Sequence, residues 1–173
     1  MILPDLLKEN LEIVFCGTAV STKSKEVRAY YGNPTNKFWI TLFESDLTPS
    51  LLKPHEYPKL LELNIGLTDL VKDQYGQDAS LKFQTTHALN LHKKIERFAP
   101  KLLAFTSKTA ALQFLRHIPE LKPQASRLQW GLQSYTLGRT AITVLPSTSG
   151  LATASFKKNC VHWLSLKKIL SRL

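Results

Sequence analysis

The sequence predicts an α/β fold, a single three-layer α/β/α domain over residues 1–173 with a small, mostly parallel central sheet. Three observations carry that expectation. Short apolar runs of strand length recur at Leu11–Gly17, Gly66–Val71, Leu102–Phe105 and Ala141–Leu145. Segments with helical spacing stand between them, an alternation that covers both faces of a parallel sheet with helices. No internal repeat, linker or low-complexity stretch divides the chain. A chain of 173 residues can bury roughly two-thirds of its unfolded surface, so it needs neither disulfides nor a structural metal.

Taken in order, Leu11–Gly17 (LEIVFCG) is a buried strand that empties into a loop of small polar residues, Thr18–Lys25. Loops at the carboxyl ends of strands are where open α/β sheets bind ligands, so this one is a candidate site. After the turn signal Gly32-Asn33-Pro34, Asn36–Asp46 reads as a helix with Phe38, Trp39, Leu42 and Phe43 at helical spacing. Glu56–Leu63 is a short helix between a proline and the Asn64-Ile65-Gly66 break, and Gly66–Val71 is the second strand. Lys72–Ser80 is a loop. Ser80–Phe98 is expected as an amphipathic helix capped by Ser80, Leu102–Phe105 as a strand, and Ser107 as the cap of a helix to about His117. Ser134–Leu137 and Ala141–Leu145 flank Gly138-Arg139 as a hairpin, and Ser155–Leu173 closes the chain as one helix with Phe156, Cys160, Trp163, Leu164 and Leu170 on its inner side.

Charge narrows the partner. Lys and Arg number 23 against 13 Asp and Glu, a formal +10; such a balance favours a polyanion, most simply nucleic acid, because neutralised phosphates release condensed counterions. A merely soluble basic surface is the bland alternative. The N-terminus lacks the pattern of a signal peptide and no apolar run reaches the ~20 residues of a membrane span, so no membrane partner and a cytoplasmic setting are expected. Cys16 and Cys160 read as small buried hydrophobes in a reduced protein, and the five scattered histidines suggest no metal. No cofactor is expected, and the chain is expected to act as a monomer.

Gly17–Ser24 (GTAVSTKS) approaches the phosphate-binding pattern G-x-x-x-x-G-K-[ST], with the preceding strand, the lysine and the serine in place. Thr22 stands where the second glycine must let the backbone bend around phosphate. The loop is also expected to run on without a helix, and the strand LLAF ends with no acidic residue to organise Mg²⁺, so nucleotide binding ranks low.

Three strand ends read together point elsewhere. The first loop leads to YYGNPTNKFW, the second strand holds GLTDLV and the last leads into LPSTSGLA. This combination resembles the uracil-DNA glycosylase superfamily, and within it the mismatch-specific uracil-DNA and thymine-DNA glycosylases; the likeness runs from Leu11 to the last helix. The N-P-x-N-[KR]-F-W element and the Ser-Gly-Leu triplet are its specific parts. The resemblance implies a monofunctional glycosylase that turns uracil out of double-stranded DNA, chiefly at G:U mismatches, and hydrolyses its N-glycosidic bond in base excision repair.

By the same resemblance, Ser149, Gly150 and Leu151 form a wedge that enters the vacated stack, against the plainer reading of a strand-to-helix turn with a buried leucine. Tyr31 is the aromatic on which the extruded base stacks. Thr18, Ala19 and Ser147 line the base pocket, Lys23 and Lys25 contact DNA phosphates, and Asn36, Phe38 and Trp39 serve capping and packing behind the pocket. Two departures stand out. The family's Gly-Ile-Asn-Pro-Gly becomes Gly17-Thr18-Ala19-Val20-Ser21, so the water-placing asparagine is an alanine. Ser147 stands where Asn or His is usual, which suggests looser discrimination among bases. Asp69 is then the remaining candidate for activating water, the plainer reading being an aspartate that caps a turn. The rival from another class is a catalytically silent binder of damaged or mismatched DNA.

Overall fold

The computed structural model describes residues 2–173. Its strands are β1 (Ile13–Gly17), β2 (Ile65–Asp69), β3 (Leu102–Phe105), β4 (Gly131–Leu137) and β5 (Thr140–Val144), and they form one sheet in the order β2-β1-β3-β5-β4. Only β4 runs antiparallel, paired with β5; the other neighbours are parallel. The helices are α1 (Thr22–Val27), α2 (Phe38–Glu44), α3 (Thr85–Phe98), α4 (Lys108–His117), α5 (Thr153–Asn159), α6 (Val161–Leu164) and α7 (Leu166–Leu170). The chain leaves β1 for β2 on one side and returns past β1 to β3 on the other. The crevice at the carboxyl ends of β1 and β3 is therefore the topological switch point of the sheet.

Side-chain alternation sorts the core into two layers. Ile13 and Phe15 of β1, Ile65 and Leu67 of β2, and Leu102 and Ala104 of β3 pack with Phe38 and Leu42 of α2, Trp163 of α6 and Leu166 of α7. Val14, Cys16, Leu103, Phe105, Ile142 and Val144 face the other way, onto Ala88, Leu91 and Ile95 of α3 and Ala110, Phe114 and Leu115 of α4. Period-two alternation then assigns the next positions on β1, β2 and β3 to the first layer. Those positions are Gly17, Asp69 and Thr106, and the parallel register sets Gly17 directly beside Asp69.

Several sequence-based boundaries shift. Thr18–Lys25 is not all loop: the Ser21 hydroxyl accepts from the Ser24 amide and starts α1, which Arg28 ends in a left-handed conformation. Ser80 does not cap α3. It closes a 3₁₀ turn (Asp78–Ser80), and α3 begins at Thr85 because the Gln74 side-chain amide bonds both backbone groups of Lys82 and holds the intervening chain extended. Glu56–Leu63 lies within a 3₁₀ segment, Pro54–Leu63. The C-terminal helix is three short helices broken near Cys160 and Ser165. That break turns Leu166 into the core and leaves Leu164 exposed. Cys160 is only half-buried, whereas Cys16 is fully enclosed.

Trp163 ties this broken terminus to the sheet. Its ring stacks on Phe15 with centroids 5.4 Å apart, meets Phe38 edge-on, and its indole Nε1 donates to the Pro146 carbonyl at 2.9 Å. Replacing Trp163 by Ala removes a fully enclosed aromatic and a buried hydrogen bond. A loss of about 3–5 kcal/mol in unfolding free energy is expected, read from urea denaturation midpoints at unchanged slope.

Candidate functional site

The first loop is pinned at the switch point by backbone bonds from β2: the Leu70 amide donates to the Gly17 carbonyl at 2.9 Å and the Val71 amide to the Thr18 carbonyl at 2.8 Å. Gly17 sits in the middle of a polar group. A Cβ built on Gly17 would lie 2.8 Å from Asp69 Oδ1, 3.5 Å from the Tyr31 hydroxyl and 3.7 Å from Thr106 Oγ1. Three strand ends and the Tyr31 loop thus converge on one point.

Tyr31 reaches this point through an unusual backbone. Its φ of 51° is left-handed, which a tyrosine rarely adopts, and it lays the ring flat on Phe38 at 3.7 Å between centroids with 11° between planes. The hydroxyl lies 3.3 Å from Thr106 Oγ1, which in turn donates to the Cys16 carbonyl at 3.4 Å. Burial, and then the nearby Asp69 carboxylate, push the Tyr31 hydroxyl well above the usual phenol range, so it stays protonated. Thr18 is buried, with Oγ1 3.3 Å from Ser107 Oγ, so the ends of β1 and β3 are cross-linked by hydroxyls. Ala19 is half-buried against the second core layer, away from the layer that holds Tyr31.

Asp69 is 4 % exposed, and its Oδ2 has no hydrogen-bond partner among the described residues. The nearest cation, Lys72 Nζ, stands 3.7 Å away. Burial raises the carboxyl pKa from an ordinary 3.8 to about 6, with Lys72 opposing and Asp5 adding to the rise. A buried, incompletely paired carboxyl of this pKa can exchange a proton near neutral pH. Beside it a cavity of about 380 Å³ opens toward α3, lined by Lys72, Asp73, His87, Asn90 and Lys94 among others.

The Ser147–Leu151 loop is folded by its own hydroxyls. Ser147 Oγ accepts from the Ser149 amide and Ser149 Oγ from the Leu151 amide, while Thr148 Oγ1 donates to Asn36 Oδ1 at 2.7 Å. Asn36 Oδ1 also accepts from the Phe38 amide, and the Lys37 amide donates to the Thr148 carbonyl, so the capping segment and the loop are one unit. Gly150 packs against Thr35: an added Cβ would fall 2.9 Å from its Oγ1. Leu151 is not buried; it is 82 % exposed at the head of a short turn.

Lys23 and Lys25 lie on α1, not in a loop. Lys23 pairs with Glu26 at 3.2 Å, and Lys25 sits 3.7 Å over the Tyr75 ring. Ser24, where a phosphate loop would offer its hydroxyl to a metal, is buried and accepts from the Gly32 amide at 2.9 Å. The segment is therefore built as a capped helix, with no cradle for phosphate. Sequence reasoning passed over Thr106, and took Ser107 only as a helix cap, which it is. Their position directly after the third strand is the signal that could have found them.

A profile of the Uracil DNA glycosylase superfamily matches residues 4–170. Among solved structures, the solution NMR structure of a candidate uracil DNA glycosylase from Methanosarcina acetivorans superposes with a TM-score of 0.62 at 24 % sequence identity, over 98 % of this chain and 96 % of that one. That likeness speaks for the fold, a five-stranded, mostly parallel sheet between helices.

Because the folded-state pKa of Asp69 lies above its unfolded value, ionised Asp69 weakens the fold. The penalty is absent below about pH 4, grows as the unfolded chain ionises, and is complete above about 6. Relative to wild type, an Asp69→Asn variant is expected to gain on the order of 2–3 kcal/mol between pH 4 and pH 7.5. Urea unfolding of both proteins across that range checks it; a difference independent of pH rules the buried charge out.

Proposed function

The chain belongs to the uracil DNA glycosylase superfamily, and from that premise we propose that it is a monofunctional DNA glycosylase of the mismatch-specific uracil and thymine type. It removes uracil from double-stranded DNA, chiefly at G:U mismatches, and leaves an abasic site in base excision repair. The observation that carries this reading is the convergence of Asp69, Tyr31 and Thr106 on Gly17, with an exposed leucine on the adjoining loop.

In this reading the flipped base lies on the free side of the Tyr31–Phe38 stack. Tyr31 contributes about 1–3 kcal/mol of stacking without choosing the base. Thr18 and Ser147 border the pocket, while Ala19, turned to the other core layer, does not. Asp69 accepts a proton from water as the water oxygen bonds to the anomeric carbon; the carbon–nitrogen bond breaks and its electron pair leaves with the uracil anion, which backbone N–H groups of the first loop receive. Ionised Asp69 also offsets positive charge developing on the sugar. The raised carboxyl pKa keeps it basic enough to take a proton near neutral pH. Leu151, with Ser149 and Gly150, fills the hole in the duplex, while Lys23, Lys25 and the wider basic surface contact phosphates. The protein is read as a cytoplasmic monomer without a cofactor.

Incubation with a labelled duplex containing a G:U pair, followed by alkali, tests the activity. A break at the uracil is expected with wild type, with a rate that falls as pH drops below about 6. Asp69→Asn is expected to be roughly 10²–10⁴-fold slower; full activity in that variant removes Asp69 from the chemistry. Because Ala19 replaces the family's asparagine, the specific competing outcome is salt-sensitive, mismatch-selective binding with no cleavage. Leu151→Ala should leave thermal stability within about 0.5 kcal/mol of wild type. It should slow excision from duplex while sparing single-stranded substrate, and equal loss on both rejects the wedge.

A further inference from the structure

The partly buried charges behind Asp69 do not belong to any strand end. The N-terminal segment crosses the free edge of β2, where Leu6 and Leu67 exchange backbone hydrogen bonds at 2.9 and 3.0 Å. That bridge sets Asp5 beside Thr68, whose Oγ1 donates to Asp5 Oδ1 at 2.7 Å. Lys72 reaches round the same edge. Its ammonium is 3.0 Å from Asp5 Oδ1 and donates to the Tyr30 hydroxyl at 2.9 Å, but is 3.7 Å from Asp69 Oδ2. Lys94 of α3 pairs with the other Asp5 oxygen. Two carboxylates and two ammonium groups thus form a nearly closed set in which Asp5 takes the shorter bonds and Asp69 is left short of a partner.

We propose that Asp5 is a positioning residue for Asp69: by holding Lys72 at hydrogen-bond distance it keeps that ammonium from pairing closely with Asp69, and so leaves the strand-end carboxylate free to accept a proton. The proposal rests on reading Asp69 as the base. Across the cavity toward α3, Asp69 faces His87, Asp73 and Lys93, and the charged and titratable groups coupled to it are Lys72, Asp5, Lys94, Tyr31, Tyr30 and Cys16. The last three stay neutral, because burial foremost, with Asp69 adding, raises each one further. Asp5, Lys72 and Lys94 are therefore the charges coupled to Asp69 that bear on its charge state. Burial alone would raise Asp5, but Lys72, Lys94 and Thr68 outweigh it and hold Asp5 ionised, so its grip on Lys72 persists through the range in which Asp69 titrates.

Removing Asp5 acts twice in one direction. It deletes a negative charge near Asp69 and releases Lys72 to approach Oδ2; both favour ionised Asp69. Removing Lys94 acts the opposite way, because Asp5 is then less neutralised and Lys72 is its only remaining cation.

The test is a carbon-13 carboxyl NMR titration of Asp69, assigned by the signal lost in Asp69→Asn, run beside the pH profile of single-turnover uracil release. In Asp5→Asn the titration should move down by about one pH unit, and the acid limb of the rate profile with it. For a limb near pH 6, excision at pH 5 then rises roughly fivefold relative to pH 8. Lys94→Gln, at a side chain 26 % exposed and outside the proposed machinery, should move both upward. If Asp5→Asn does not fold, Lys94→Gln decides alone. A titration that stays in place in the folded variants overturns the proposal. A titration that moves without the rate profile leaves the charge coupling standing and removes Asp69 as the base; a merely structural Asp5 lowers the rate equally at every pH.

Discussion

Everything at the switch point depends on one missing side chain. Parallel pairing with β2 on one side and β3 on the other brings Asp69 and Thr106 to the flanks of Gly17, all on the face that carries Tyr31. Any Cβ at Gly17 would overlap the Asp69 carboxylate at 2.8 Å, so a larger residue must push it off the strand end. Adjacent strands about 4.8 Å apart set the carboxylate and the threonine hydroxyl on either side of one glycine, and the Tyr31 loop adds the phenol. The sheet is thus the positioning device, and the loops only finish it.

How much of this was legible in the sequence follows from how local each feature is. Strand ends, the Ser107 cap, the hairpin and the α/β layering all come from patterns a few residues long, and they stand in the structure close to where the patterns put them. Asp69 was legible for the same reason, as an acid ending an apolar run. Thr106 was not, because a threonine after a strand carries no signal until the register sets it next to Gly17. Asp5, Lys72 and Lys94 come from three separate segments and meet only because the N-terminal chain pairs with the free edge of β2. The start of α3 was misplaced by a side-chain clamp from Gln74, and the continuous C-terminal helix by a break that rotates Leu166 inward and Leu164 outward. Both are tertiary effects that override local periodicity.

Tyr31 and the exposed loop are joined by one continuous set of contacts. Tyr31 rests on Phe38, Phe38 meets Phe15 and Trp163, and Trp163 holds the Pro146 carbonyl at the root of the Ser147–Leu151 loop. Asn36 closes the circuit by bonding Thr148 from the other side. Aromatic packing thus links Tyr31 to the Ser147–Leu151 loop, and in the proposed reading it sets the spacing between the base platform and the wedge. Most of the aromatic surface of YYGNPTNKFW is taken up by packing: Tyr30, Phe38 and Trp39 are all buried.

In the proposed reading, alanine at position 19 in place of a water-placing asparagine changes what the rest of the site must do. A neutral amide can place water but takes no proton, and a polar pocket can hold it without strain. A carboxylate in the same crevice is useful only if it is buried enough to be basic, and burial of an unpaired charge destabilises the fold. The structure resolves this conflict by distance. In the proposed reading, Lys72 at 3.7 Å from Asp69 is close enough to favour the ionised carboxylate and too far to neutralise it as a base. Closer pairing would favour stability, and a more distant lysine would leave the group protonated. In that reading an intermediate separation needs something to hold the lysine back, which is the part proposed for Asp5 of the N-terminal segment.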